Sequence, residues 1–360
     1  MAGTLITRKL DNVDCRAWAM MLDEAVAEGW ALYERDRVRI VRLRTRAGMR
    51  IVKSSPDVAA LRRAWSAHQT GIQSIAGLHV PTAIRIGLHA DGQSNTLSSD
   101  CDAVGGQGVG DRIPTGGWLC FLDDHLSAVR WTTHLAETAI TAVAALHCAP
   151  SSRALTGAQG RFNGLSHTPN YRLILDRIQC WPELERILHA ASVSHATRKL
   201  LGNLHRQILQ KIDDGSHAPV LCHGDLHWGN FMQVARTNTL YVIDWEFLHV
   251  NSPWFDLFQM LDATSPFAPL RRPIQRLHAL KLYYSLANPG LTVPSSERRF
   301  ILGYLRYAAA HLMWILLCMK ADQTAGRFDP QALERQRSET IRGCIGIART
   351  LQKFGALGKA

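Results

Sequence analysis

Polar and apolar positions alternate along YERDRVRIVRLRTRAGMRIVKS (33–54), the pattern of strands covered on one face. Arg35, Arg37 and Arg39 share one parity and Arg42, Arg44 and Arg46 the other, so a bulge or bend is expected near Ile40–Val41. Gly48 marks a turn, and MRIVK reads as a strand ending at Lys53. Before this region, AWAMMLDEAVAEGW (17–30) spaces its apolar residues by three and four, which predicts a helix. After it, Ser55-Pro56-Asp57 opens a helix from about 57 to 70, HVPTAIRIGLHADGQ suggests a strand and hairpin, and GWLCFL (117–122) reads as a short apolar strand. Beyond Asp123 the period changes. TTHLAETAITAVAALHCAP (132–150) is a helix stopped by Pro150, helices dominate 170–213 and about 253–354, and short strands stand at 219–222 and 240–243. The plan is α+β, with a β-rich portion over 1–123 and a mostly helical portion over 124–360.

Composition bounds this picture. With 46% hydrophobic and 20% charged residues, 360 residues build a globular protein with a sizeable core. The eight cysteines are scattered with no C-x-x-C pair, which argues against a zinc site or disulfide framework and for a reducing, cytoplasmic setting. MAGTLITRKLDNVD carries no apolar signal region. The most apolar window, YAAAHLMWILLCMK (307–320), reads as too short for a bilayer and as a buried helix, so no membrane span is expected. Lys and Arg exceed Asp and Glu by 41 − 30 = 11, a charge that favours anionic partners without selecting one. The sequence assigns no oligomeric state.

The chemistry concentrates in one run, HGDLHWGN (223–230), followed by LYVIDWEFL (240–248). Asp225, Asn230 and Asp244 lie within twenty positions of one another, at the ends of apolar runs. Acids near a buried region are costly unless paired or bound to metal. A lone H-G-D is a common turn; one with Asn five residues after Asp, then an apolar strand ending in Asp, is much harder to obtain from turns alone.

HGDLHWGN resembles the catalytic loop of the aminoglycoside phosphotransferase and choline kinase-like small-molecule kinases, usually of the form H-G-D-x-x-x-x-N. VIDWE is similar to their metal-binding D-x-E or D-x-D, LAETAITAVAALH to the helix before their acceptor-binding insertion, and RIVKSSP to their nucleotide-lysine strand. The resemblance implies a bilobal protein-kinase-like fold and the use of ATP and Mg²⁺. It makes Asp225 the residue that accepts a hydroxyl proton, Asn230 and Asp244 metal ligands with hard oxygens, and Lys53 the phosphate contact. His223 would hold loop geometry, His227 would pack the loop or stand where protein kinases carry a phosphate-contacting lysine, Glu246 would join the metal shell or a surface pair, and Asp256, in NSPWFDLFQML, would brace the catalytic loop.

Two features depart from the family. The helix expected to offer a glutamate to the lysine, DVAALRRAWSAHQTGI, has none, leaving only His68 or Gln69 to hydrogen-bond. No glycine-rich cover lies between the first strands, and the Gly105–Gly110 run lacks the G-x-G-x-x-G register, reading instead as a hairpin loop. The partners implied are a nucleotide and a small molecule with a hydroxyl group, rather than nucleic acid. The net charge favours a neutral or anionic sugar, amino alcohol or phosphorylated metabolite over a cationic aminoglycoside. Tyr171, Trp181, Tyr283, Tyr284 and Trp314 are candidate pocket residues. The missing glutamate sustains one alternative, a catalytically inactive pseudokinase that acts as a binding protein; a kinase of protein substrates is another, opposed by an H-G-D without the Arg of H-R-D and by the lack of an A-P-E-like segment.

Overall fold

The computed structural model describes residues 8–35, 38–69, 78–88, 116–123, 126–149, 171–210, 219–234, 237, 239–289 and 294–357. The Gly105–Gly110 run and Arg37 lie outside them. Two compact units divide the chain: residues 3–129 with 231–248, and residues 130–230 with 249–360. The first is β-rich and the second mostly helical.

In the β-rich unit, β1 (Arg8–Lys9), β2 (Val26–Arg35), β3 (Val38–Thr45), β4 (Gly48–Ser55), β5 (Ala83–Leu88) and β6 (Gly117–Leu122) form one antiparallel sheet in the order β1-β2-β3-β4-β6-β5. Helix α1 (Asn12–Leu22) covers one face, where Trp18 and Leu22 pack with Val41, Leu43, Val52 and Cys120. This helix begins and ends earlier than its apolar spacing suggests. Asp11 caps its first turn, accepting from Asp14 N at 2.7 Å, and Asp23 at φ 52° closes it in the left-handed region. Residues 26–30 then extend into β2.

The expected irregularity in β3 sits instead on its partner. Strand β3 runs in continuous register with β4, whereas β2 carries an extra residue between Ala31 and Tyr33, opposite Val41 and Ile40. Parity within β3 therefore sends Arg39 inward, where it lies buried 3.5 Å from Asp14, and leaves Arg42 and Arg44 on the other face. The same alternation in β4 buries Arg50, Val52 and Ser54 on one side and turns Lys53 to the side away from α1.

Helix α2 (Val58–Gln69) packs on β5 and β6. A second sheet of this unit joins β7 (Leu126–Ala128), β9 (Phe231–Val234) and β10 (Thr239–Val242) in the order β10-β9-β7. Residues 231–248 lie far beyond a boundary after residue 123, yet this pairing draws them into the β-rich unit.

In the helical unit, α3 (Thr133–Cys148) packs against α8 (Arg276–Ala287), and α9 (Pro294–Thr324) against α10 (Pro330–Lys353). Among the described residues this unit also contains helices α4 (Tyr171–Ile178), α5 (Trp181–Ala190), α6 (His195–Gln210) and α7 (Trp254–Leu261). Helix α9 is much longer than its apolar window: its Ser296–Thr324 part, 29 residues, is long and apolar enough to cross a membrane, but 72% of its most apolar stretch is buried within the protein. Its Tyr304, Tyr307 and Leu312 belong to the core. Strands β8 (Val220–Cys222) and β11 (His249–Asn251) pair antiparallel in this unit.

Candidate active site

The loop 223–230 leaves β8 in the helical unit and is fixed by one buried carboxylate. Asp256, fully buried in the first turn of α7, accepts from His223 N at 2.8 Å and from Gly224 N at 3.0 Å. His147 at the end of α3 donates from Nε2 to Asp256 Oδ2 at 3.1 Å, and Tyr283 OH lies 2.8 Å from its Nδ1. Burial raises the Asp256 pKa, but the His147 hydrogen bond, the neighbouring imidazoles and the Gly224 N–H outweigh it and hold the carboxyl below its usual value. Gly224 takes φ 92°, which a glycine adopts without strain.

From this anchor the loop doubles back. His223 Nδ1 accepts from Asp225 N at 3.3 Å, and Asn230 Nδ2 donates to the Asp225 carbonyl at 2.7 Å. Trp228 is buried edge-on against Trp131, and Leu226, two residues before it, is also buried. These anchors leave the Asp225 side chain 41% exposed. His227 Nδ1 accepts from Gly229 N at 2.9 Å, which puts the neutral ring's proton on Nε2, 3.8 Å from Asp225 Oδ2. His227 thus holds the loop and borders the carboxylate.

His147, Cys222 and Asp256 also bring three ligand-type atoms within 4.8 Å of one another. Their atoms are already committed. His147 joins Tyr283 to Asp256, Asp256 serves the loop backbone, and Cys222 Sγ reaches Ser252 O at 3.4 Å. Burial, with the Asp256 charge beside it, pushes the Cys222 thiol well above its ordinary pKa, opposing the thiolate a metal would need. The cluster is a brace.

Lys53, Asp244 and Glu246 meet within the β-rich unit. Asp244 follows β10 at φ 63°, ψ 56°, and a short 3₁₀ turn, Trp245–Phe247, comes next. Trp245 is buried and donates to Val242 O at 3.0 Å, fixing the turn. Lys53 Nζ stands 3.0 Å from Asp244 Oδ1 and 2.8 Å from Glu246 Oε2. Burial disfavours the lysine's charge, but the two carboxylates override it and raise its pKa above the ordinary lysine value. His68 lies elsewhere, edge-on to Phe121 at 5.4 Å, and burial lowers its pKa to about 4. It is therefore not the lysine's partner. The residue that sequence reasoning missed is Arg63 of α2, whose Nε donates to the Glu246 carbonyl at 2.7 Å. No local pattern marks a contact across 183 positions.

The donors suit a hard cation. Asp244 and Glu246 offer carboxylate oxygens, and the Asp244 side chain remains 34% exposed. Asn230 commits its amide nitrogen to the Asp225 carbonyl, and its oxygen is chemically the same class of ligand.

The sequence pattern of the phosphotransferase enzyme family matches residues 104–287, just over half of the 360 residues. The chain belongs to that family. The family makes it a phosphotransferase. No curated protein sequence matches it. Among solved structures it is similar to a spectinomycin phosphotransferase in complex with ADP and spectinomycin, at 12% identity and TM-score 0.53, covering 94% of this chain and 98% of the other. It is also similar to a GDP complex of aminoglycoside 2'-phosphotransferase-IIIa, at 11% identity and TM-score 0.56, covering 95% and 99%. A Plasmodium vivax ethanolamine kinase matches at 9% identity and TM-score 0.50, covering 89% and 83%. These likenesses show the kinase-like α+β fold that the sequence resemblance implied.

Proposed function

We propose that this phosphotransferase transfers the γ-phosphoryl group of ATP to a hydroxyl of a small neutral or anionic molecule, such as a sugar, amino alcohol or related metabolite, and that it works in the cytoplasm. The observation that carries the reading is the loop 223–230, which holds Asp225 half-exposed on a backbone fixed by buried Asp256, His223 and Asn230. A carboxylate so held accepts the proton of an acceptor hydroxyl and orients its oxygen for in-line attack. Lys53 supplies positive charge to the nucleotide phosphates. Asn230 and Asp244 are the residues for Mg²⁺, which when bound neutralises phosphate charge. ADP and GDP in the similar structures support a nucleotide donor.

The acceptor class rests on the net charge of +11, which repels a polycation and attracts an anion. The inactive-relative reading drew on an α2 without glutamate. Lys53 nevertheless has a carboxylate partner in Glu246, which favours an active enzyme.

The test is ADP release on incubation with ATP, Mg²⁺ and a panel of sugars, amino alcohols and aminoglycosides. The reading expects release that depends on a neutral or anionic alcohol and is lost in Asp225→Ala. ATP binding without turnover of any acceptor would instead favour the inactive relative.

A further inference from the structure

The lysine's partners need an account of their own, because a lysine is a point charge on a flexible four-carbon stem and points at a phosphate only if something orients it. Helix α2 carries no acidic residue. Glu246 approaches Nζ more closely than Asp244 does, 2.8 Å against 3.0 Å, and its side chain is less exposed, at 20% against 34%. Its backbone is also held from two sides. Trp245, the residue before it, is buried with its indole nitrogen donating to Val242 O, and Arg63 of α2 donates to the Glu246 carbonyl. The Trp245–Phe247 turn packs against α2. The Asp244 side chain is the more exposed of the two, which suits a ligand-facing role.

We propose that Glu246 is the positioning residue for Lys53, and that Arg63 makes α2 part of that device by holding the Glu246 carbonyl. The proposal rests on the nucleotide-binding reading above. In it Glu246 serves the lysine and Asp244 the metal, so the two acids of D-W-E divide the work. Helix α2 then acts on the lysine through the backbone of the 245–247 turn, where an acidic helix would act through a side chain. A shift of α2 moves Glu246 and, with it, the charge aimed at the phosphates.

A double-mutant cycle on ADP affinity, measured by calorimetry in EDTA and again in Mg²⁺, separates the roles. Without Mg²⁺, Lys53→Met and Glu246→Gln should each weaken ADP binding about tenfold, as expected for losing a charge-assisted contact or its orientation. The double variant should be no weaker than Lys53→Met alone, because Glu246 acts only through the lysine. Glu246→Asp should keep most of the parental affinity. Arg63→Met, which leaves the carboxylate in place but releases the carbonyl, should weaken binding in the same direction and likewise add nothing in the Lys53→Met background; it stands in if Glu246→Gln does not fold. A Glu246→Gln loss confined to the Mg²⁺ titration would make Glu246 a metal ligand and overturn the proposal. Losses that multiply in the double variant would overturn it too. A parental protein that binds no ADP in either condition would overturn the nucleotide reading itself, and the proposal with it.

Discussion

Asp225 and Asp256 are two acids of one loop system with opposite environments, and their environments separate their roles. Asp256 is fully buried, receives two backbone N–H groups and His147, and is held ionised. Asp225 keeps 41% of its side chain exposed while its backbone is pinned by Asn230. Removing Asp225 should therefore abolish chemistry and leave the nucleotide alone. Asp225→Ala is expected to lower turnover at least about 10²-fold with Mg·ATP affinity within a few-fold of parental; steady-state rates and calorimetry check both halves. Near-parental turnover would remove Asp225 from the reaction. Asp256→Asn should behave differently. The amide cannot accept from both His223 N and Gly224 N while also facing the His147 N–H, so one donor is left unpaired at a cost of about 2 kcal/mol or more. Urea unfolding of the variant checks this, and an unchanged midpoint would mean that the loop is fixed by something else.

At the scale of elements, what the sequence made legible were strands and helices with a clear period and a sharp stop. GWLCFL is β6, the 132–150 helix is α3, and the apolar runs beside the two acidic motifs are β8 and β10. The 17–30 segment misled because its three- and four-residue spacing continues past Asp23, where a left-handed cap ends the helix and a strand begins. Strand β9 was missed because Phe231–Val234 follows the loop directly, without a turn signal. The aromatic residues offered as pocket candidates include Tyr283 and Tyr284, which are buried in α8; Tyr283 reaches His147 and thereby supports the loop. Within the site, the spacing of HGDLHWGN and VIDWE carried the candidate residues. The pairing of Lys53 with Asp244 spans 191 positions and depends on how β4 faces the turn after β10, which no local pattern encodes. The same holds for the Arg63–Glu246 bond, and only the structure shows that α2 reaches the lysine cluster through it.

At the scale of the whole molecule, burial of histidines predicts a pH limit. His68 in the β-rich unit and His311 in the helical unit both have pKa values lowered by burial to about 4, from 6.5. His311 Nδ1 donates to Tyr307 O at 2.8 Å, while its Nε2 is buried with no hydrogen-bond partner among the described residues. Because these groups are harder to protonate folded than unfolded, the unfolded chain binds more protons between those two values. Stability should therefore fall as pH drops from about 6.5 toward 4, by up to about 3 kcal/mol for each histidine. Thermal unfolding across that range checks it; His311→Leu, which cannot charge, should flatten the fall for the helical unit, and an unflattened curve would mean that His311 does not contribute.

The net charge of +11 draws any anionic ligand, so tight nucleotide binding by itself does not identify a kinase. Metal dependence does. The measurement that tests the account most directly is calorimetric titration of ATP into the parental protein and Asp244→Asn, with and without Mg²⁺. The account predicts ATP binding that Mg²⁺ strengthens, with Asp244→Asn removing that strengthening while changing metal-free binding far less, because an amide cannot replace a carboxylate's charge against a divalent cation. ATP binding that ignores Mg²⁺, or an Asp244→Asn loss equal in both conditions, would contradict it.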